Sequence, residues 1–124
     1  SRPIKAFFPM ERLRQRADFL AAAAAVRVAV PAFVVQARDR ADPGPVRVGF
    51  TVSKKVGNSV ERNRVRRRLR ELVARTPLMR PHCDYVLVGR RAALGRGFDT
   101  MLDDLKSALK RLDAQLAKRA GTAG

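Results

Sequence analysis

Ser53-Lys54-Lys55-Val56-Gly57-Asn58-Ser59-Val60-Glu61-Arg62-Asn63-Arg64-Val65-Arg66-Arg67-Arg68-Leu69-Arg70-Glu71 is the most informative run in the chain. It opens as a basic loop and becomes a helix. Asn58 is a good N-cap, and Glu61 stands three residues on, the spacing of a capping box. Pro77 stops a helix that runs to about Arg75. On a wheel of about 100° per residue, Val65, Leu69, Leu72 and Val73 share one side. Asn63, Arg66, Arg67 and Arg70 share the other, flanked by Arg64 and Arg68. The apolar face suits a sheet. The other face is dense in guanidinium groups, and Glu61 is the only acid between Lys54 and Arg70. A merely solvated helix face interleaves acids with bases at i, i+4 spacing, whereas stacked like charges destabilise a free helix. Arginine forks bond phosphate oxygens in pairs and stack on bases, so this face reads as a phosphate-binding surface. Lys54, Lys55 and the N–H groups at the helix start favour an anion too. Gly57 suits that role or a plain turn.

On the N-terminal side, Val46 to Val52 alternates as a strand, with Val46, Val48, Phe50 and Val52 on one face. Ala32 to Arg38 reads as another strand, with Phe33 and Val35 on one side and Val34 and Gln36 on the other. Asp42-Pro43-Gly44-Pro45 between them is a turn, which predicts an antiparallel hairpin. Val26 to Val30 is a further short strand, ended by Pro31. A helix over Gln15 to Ala25 contains the alanine run Ala21 to Ala25 and a single aromatic, Phe19. Before it lies a basic, extended arm with Phe7, Phe8 and Pro9. On the C-terminal side, Tyr85 to Val88 is a short strand and Gly89 to Gly97 a loop. A last helix runs from Asp99 or Thr100 to about Lys118, with Leu102, Leu105, Leu109, Leu112 and Leu116 as its core stripe. The tail Ala120 to Gly124 is expected to fray. Helix, three strands, helix, strand, helix makes an α+β sandwich of a small sheet with helices packed on it.

The 124 residues fit one domain spanning 1–124, with a basic arm over 1–14 and a tail over 119–124. With 27 Lys and Arg against 11 Asp and Glu, the net charge is +16, which calls for an anionic partner: nucleic acid, an acidic membrane surface or an acidic protein. The basic helix has no Trp or Phe on its apolar face, which disfavours the membrane. Leu20 to Val35 is broken by Arg27 and Pro31 and too short to span a bilayer. No targeting segment is read, and a cytoplasmic protein is expected. Cys83 is the single cysteine, so no intrachain disulfide is possible. His82 and Cys83 are neighbours without further ligands in the sequence, and read as a surface histidine and a semi-buried cysteine. No hydrolytic centre is expected in the chain. Asp103 and Asp104 point about 100° apart on a helix, Asp39 and Asp42 belong to a turn, and His82 lacks a partner for general-base work.

The run from Ser53 to Glu71 resembles the signature of the bacterial ribonuclease P protein family, whose arginine–asparagine–arginine motif appears as Arg62, Asn63 and Arg64. Weaker similarity covers most of the chain: Arg12-Leu13-Arg14 with Asp18-Phe19, Phe33-Val34-Val35, Val48-Gly49-Phe50 and Asp84-Tyr85-Val86. The resemblance implies an αβββαβα two-layer sandwich with a four-stranded mixed sheet and a left-handed βαβ crossover, against the usual hand. It implies a protein subunit that binds ribonuclease P RNA and the 5′ leader of precursor tRNA, one protein per RNA, while RNA-held Mg²⁺ cuts the leader away. No organic cofactor is implied. Arg62, Asn63, Arg64, Arg66, Arg67 and Arg70 would touch the catalytic RNA, with Lys54, Lys55 and Arg68 in the same surface. Phe19, Val34 and Gln36, with Arg12 and Arg14, would line the leader cleft, where an aromatic can stack on unpaired bases. Phe19 serves equally as a core residue, and Val34 reads first as one. The family often has a second aromatic where this chain has Ala23, a glycine-containing basic turn where it has Ala21 to Ala25, and can have an aromatic at Gln36. The cleft is therefore expected to be smoother and to lean on Phe19. The other reading is a general RNA-binding module, such as a ribosomal protein or RNA chaperone.

Overall fold

The structure, a computed structural model, describes residues 10–77 and 79–123. Phe7, Phe8 and Pro9 of the expected arm lie outside the described residues, as does Gly124 at the end of the expected tail. In chain order the elements are β1 (Met10–Arg12), α1 (Arg16–Ala24), β2 (Val26–Val30), β3 (Phe33–Asp39), β4 (Val46–Thr51), α2 (Ser59–Ala74), β5 (Cys83–Gly89) and α3 (Phe98–Ala123), with 3₁₀ turns at Lys54–Val56 and Arg91–Leu94. The α+β class stands. The sheet has five strands in the order β1-β4-β5-β3-β2, not four, because Met10–Arg12 pairs in parallel with Val46–Val48. β4 and β5 are also parallel, with α2 as the crossover between them; β5 with β3 and β3 with β2 are antiparallel.

The expected hairpin between Ala32–Arg38 and Val46–Val52 does not form, because β5 lies between the two strands. The reason is in the side chains. Every residue of β5 is buried except Val88, which is half-buried, and a strand apolar on both faces belongs in the middle of a sheet. Asp84 of β5 stands in register with Arg38 of β3 and Arg47 of β4. Its carboxylate, with no exposed side-chain surface, accepts two hydrogen bonds from Arg47 (2.7 and 2.8 Å), one from Arg38 (2.9 Å) and one from Arg40 (2.6 Å). Arg40 also grips Asp42 at 3.0 Å and the Pro45 carbonyl at 2.7 Å. The turn therefore carries the chain across the width of β5 instead of closing a hairpin.

Strand alternation divides the core. α2 and α3 cover one face, where Val65, Leu69, Leu72, Leu105 and Leu109 meet Phe33, Val35, Val48, Tyr85 and Leu87. Each such side chain contributes about 1.5–3 kcal/mol by leaving water. α1 lies on the other face, where Ala22 and Leu13 meet Val86, with Phe19 and Val88 half-buried against them. The helices therefore form two layers with the sheet between them, one more layer than expected. α1 buries only Ala22 fully; Asp18 fastens it further, lying 3.2 Å from Arg38 and 3.4 Å from Arg47.

Burial pushes the Asp84 carboxyl up, but hydrogen bonds from Arg47, Arg40 and Arg38 outweigh it and hold the pKa below the ordinary 3.8. A folded-state pKa below the unfolded one means stability that is complete above the ordinary value and lost as pH falls through the folded one. Asp84→Asn leaves three guanidinium groups around a neutral amide. It should lower the unfolding free energy by roughly 3–5 kcal/mol in urea titrations at neutral pH, and should remove part of the acid-induced loss of stability that the parent shows.

Candidate nucleic-acid interface

The α2 helix begins as its sequence dictates. The Asn58 side chain accepts from the Glu61 N–H at 2.9 Å, and Glu61 accepts from the Asn58 N–H at 3.0 Å. Arg91 locks the start by donating to the Val56 carbonyl at 2.6 Å and to Glu61 at 3.2 Å. The Asn58 N–H and then Arg91 hold the Glu61 carboxyl below its ordinary pKa. A Cβ on Gly57 would sit 2.1 Å from the Glu61 carboxylate, so glycine is needed here for the close approach itself. Part of the helix start is thus satisfied by the chain itself, through the Asn58 and Glu61 N–H groups. Lys54 and Lys55 remain exposed on the preceding 3₁₀ turn.

Beyond this cap the arginine face is open. Asn63, Arg64, Arg67 and Arg70 are exposed, and Arg62, Arg66 and Arg68 half-buried. Among the described residues, no carboxylate of the chain forms an ion pair with Arg62, Arg64, Arg66, Arg67, Arg68 or Arg70. Acids pair with other arginines: Glu71 with Arg75, Asp104 with Arg96, and Asp113 with Arg80. Arg66 donates to the Asn63 side-chain Oδ1 at 3.1 Å, which steadies the middle of the stripe. Arg68 is drawn aside, donating to the Arg96 carbonyl at 2.6 Å. Arg70 lies over the Phe50 ring at 5.9 Å, a cation–π contact. Nothing local to either residue signals that partnership, because Phe50 and Arg70 lie on different elements.

The second surface lies under α1. Phe19 is half-buried and stands over Gly49, where a Cβ would come within 2.6 Å of its ring. Gln36, Val86 and Gly49 form one row across the strands beside Arg27, and Val34, Val88 and Thr51 form the row two residues along. Gln36 is half-buried. Val34 is only 4% exposed, so its side chain mainly fills the wall. Arg12 and Arg14 are exposed at the sheet edge. A groove of about 560 Å³ there is lined by Arg12, Arg14, Gln15, Asp18 and Arg47. A second groove of about 550 Å³, with Arg12, Phe50, Arg70 and Val73, opens toward α2. The sequence missed both grooves because three residues are too few to show strand alternation, so Met10–Arg12 was unreadable as an edge strand.

The two surfaces lie on opposite faces of the sheet. They meet at β4, where Gly49 seats Phe19 on one face and the next residue, Phe50, lies under Arg70 on the other. Among the described residues one group of three metal-ligating side chains occurs, Asp39, His82 and Cys83, apart from both surfaces. Cys83 is fully buried, not semi-buried, and burial pushes its thiol up to about 11. No helix among the described residues is long and apolar enough to cross a membrane.

Comparison with known proteins points one way. The family model described as Ribonuclease P matches residues 7–113. The ribonuclease P protein component of Ruegeria pomeroyi is 54% identical over 82% of this chain and 86% of that protein. That of Caulobacter vibrioides is 50% identical over 90% and 76%. Among solved structures, the Staphylococcus aureus RNase P protein superposes with a TM-score of 0.70 at 28% identity, over 84% of this chain and 96% of that one. The Thermotoga maritima RNase P protein gives 0.69 at 30%, over 82% and 96%.

Two variants test the geometry. Arg66→Ala with Arg67→Ala removes two side chains with no acidic partner. The unfolding midpoint should stay at the parent value, while affinity for a structured RNA falls about tenfold or more in filter binding. Gly49→Ala forces the Phe19 ring off the sheet and should cost about 1–3 kcal/mol in urea unfolding.

Proposed function

The chain belongs to the ribonuclease P protein family, and from that membership we propose that it is the protein subunit of a ribonuclease P ribonucleoprotein, one copy per RNA. It binds the catalytic RNA through Arg62, Asn63, Arg64, Arg66, Arg67 and Arg70, with Lys54, Lys55 and Arg68 at the margins. It holds the 5′ leader of precursor tRNA against Phe19 and Gln36, with Val34 in the wall and Arg12 and Arg14 at the edge. The observation that carries this reading is the line of α2 arginines with no carboxylate among the described residues to neutralise them. A guanidinium row of this kind lowers the repulsion between two RNA segments and releases their counterions. Leader binding rests on an aromatic beside unpaired polar groups, which accepts any base by stacking. The compartment is the cytoplasm.

The holoenzyme is an endoribonuclease, and its chemistry belongs to the RNA. Mg²⁺ is hard and needs oxygen ligands in near-octahedral geometry. Several carboxylates of this chain suit it poorly: Asp18, Asp42 and Asp84 are engaged by arginines, and Asp39 sits with a thiol and an imidazole. That supports placing Mg²⁺ on the RNA and its substrate, where it supplies an activated water for in-line attack on the phosphodiester. The protein's own part is to bind, to screen charge and to align the leader.

Reconstitution tests this. With a bacterial ribonuclease P RNA and a precursor tRNA, added protein should lower the Mg²⁺ needed for cleavage. Unchanged cleavage at low Mg²⁺ would refute the reading. Binding of many structured RNAs, with no preference for leader-bearing over mature tRNA, would point to a general RNA-binding module instead. Phe19→Ala should reduce that preference while leaving RNA assembly intact; unfolding of this variant would assign Phe19 to packing alone.

A further inference from the structure

We propose that Asp39, His82 and Cys83 form a binding site for a thiophilic divalent metal ion of the Zn²⁺ class. Asp39 and Cys83 are direct cross-strand partners in the β3–β5 pair, so their side chains share one face of the sheet. His82 precedes Cys83 and completes the group. Its backbone takes a φ of 56°, in the left-handed region that a residue with a side chain adopts at a cost. Two backbone hydrogen bonds of 2.9 Å fix it there, from its own N–H to the Gly44 carbonyl and from the Arg40 N–H to its carbonyl. In this position the imidazole Nδ1 lies 3.1 Å from Asp39 Oδ1 and 4.0 Å from Cys83 Sγ. All three donor atoms fall within 4.8 Å of one another.

These separations bracket those around a tetrahedral ion, the imidazole–carboxylate pair slightly shorter and the imidazole–sulfur pair slightly longer. With bonds of about 2.0–2.1 Å to nitrogen and oxygen and about 2.3 Å to sulfur, the ligand atoms should stand about 3.3–3.6 Å apart. The carboxylate is already oriented, since Asp39 Oδ1 accepts from the Ala41 N–H at 2.8 Å. An ordinary Asp–His ion pair explains the 3.1 Å contact but gives no role to the sulfur behind it. Asp39 is exposed and His82 half-buried, so an ion reaches the group from solvent while the buried Sγ forms its floor. Three protein ligands leave the fourth position to water, as in open zinc sites. Thiolate and imidazole select Zn²⁺ or Co²⁺ over Mg²⁺. On binding, the Cys83 thiol gives its proton to solvent, and the imidazole, whose Nδ1–H donates to Asp39 in the free protein, gives up that proton and carries its remaining one on Nε2, so that Nδ1 takes the metal. Nearby Arg40 and Arg80 weaken the attraction, and Asp113, 3.2 Å from Arg80, offsets part of that. The group shares no residue with the arginine face or the α1 cleft, so the proposal is independent of the RNA-binding reading.

The test uses the full chain, stripped by chelator and titrated with Co²⁺ and Zn²⁺. One Co²⁺ per chain should bind with a micromolar or tighter Kd and show a thiolate-to-cobalt charge-transfer band. Zn²⁺ should displace it, and a large excess of Mg²⁺ should not. Zn²⁺ at roughly 100 times its Kd should raise Tm by several degrees. Cys83→Ser should abolish the band. His82→Gln and Asp39→Asn, which change side chains outside the core, should each weaken binding at least tenfold. A cobalt spectrum without a sulfur band, a millimolar Kd, or affinity unchanged in both His82→Gln and Asp39→Asn would overturn the proposal.

Discussion

The Asp84 carboxylate is fully buried in the central strand and receives hydrogen bonds from three arginines drawn from β3, from β4 and from the loop between them. An isolated charge at that depth would cost several kcal/mol, and the guanidinium groups around it would repel one another without it. The carboxylate and its partners therefore stand or fall together. Their joint demand puts β5 between β3 and β4, parallel to β4 and antiparallel to β3. That order makes α2 a crossover between two parallel strands. Asp18 extends the same network to α1, so one cluster positions the helices on both faces of the sheet.

The placement of the acids also shapes the surface. With 11 acidic residues for 27 basic ones, most cations cannot find a partner within the chain. Those that do lie in the Asp84 cluster, at the ends of α2, and where Arg80 and Arg96 meet α3. The middle of α2 is left with guanidinium groups that no carboxylate among the described residues pairs, Arg64, Arg67 and Arg70 being exposed, on a helix whose other side is fixed by Val65, Leu69, Leu72 and Val73. A rigid helix presenting arginines without carboxylate partners among the described residues holds them in place before RNA arrives, which lowers the ordering cost of binding. Through β4 this surface is joined to the α1 cleft, because Gly49 and Phe50 are consecutive and face opposite ways.

Much of this was legible in the sequence where a local rule governed the outcome. The capping box at Asn58 and Glu61 formed as its spacing required, and the apolar stripe of α2 was buried residue for residue. Long-range choices were less legible. A turn between two alternating strands signals a hairpin, and nothing local to residues 39–45 shows that a strand some forty residues later will be inserted there. The signal lay in Asp84, an acid inside an apolar run, which needed cations on both neighbouring strands. At the helix start the capping box that the spacing predicts also takes up the Asn58 N–H, a donor that an external anion would otherwise meet. Asp39 could not be joined to His82 and Cys83 until β3 and β5 were known to be partners.

The measurement that bears most directly on the account is the salt dependence of binding to ribonuclease P RNA. If the α2 arginines meet phosphates, log K should fall linearly with log salt concentration with a slope of about −4 or steeper, each contact contributing about 0.7 to 0.9. An affinity that barely responds to salt would mean that the arginines do not face the RNA backbone, and the account of this surface would be wrong.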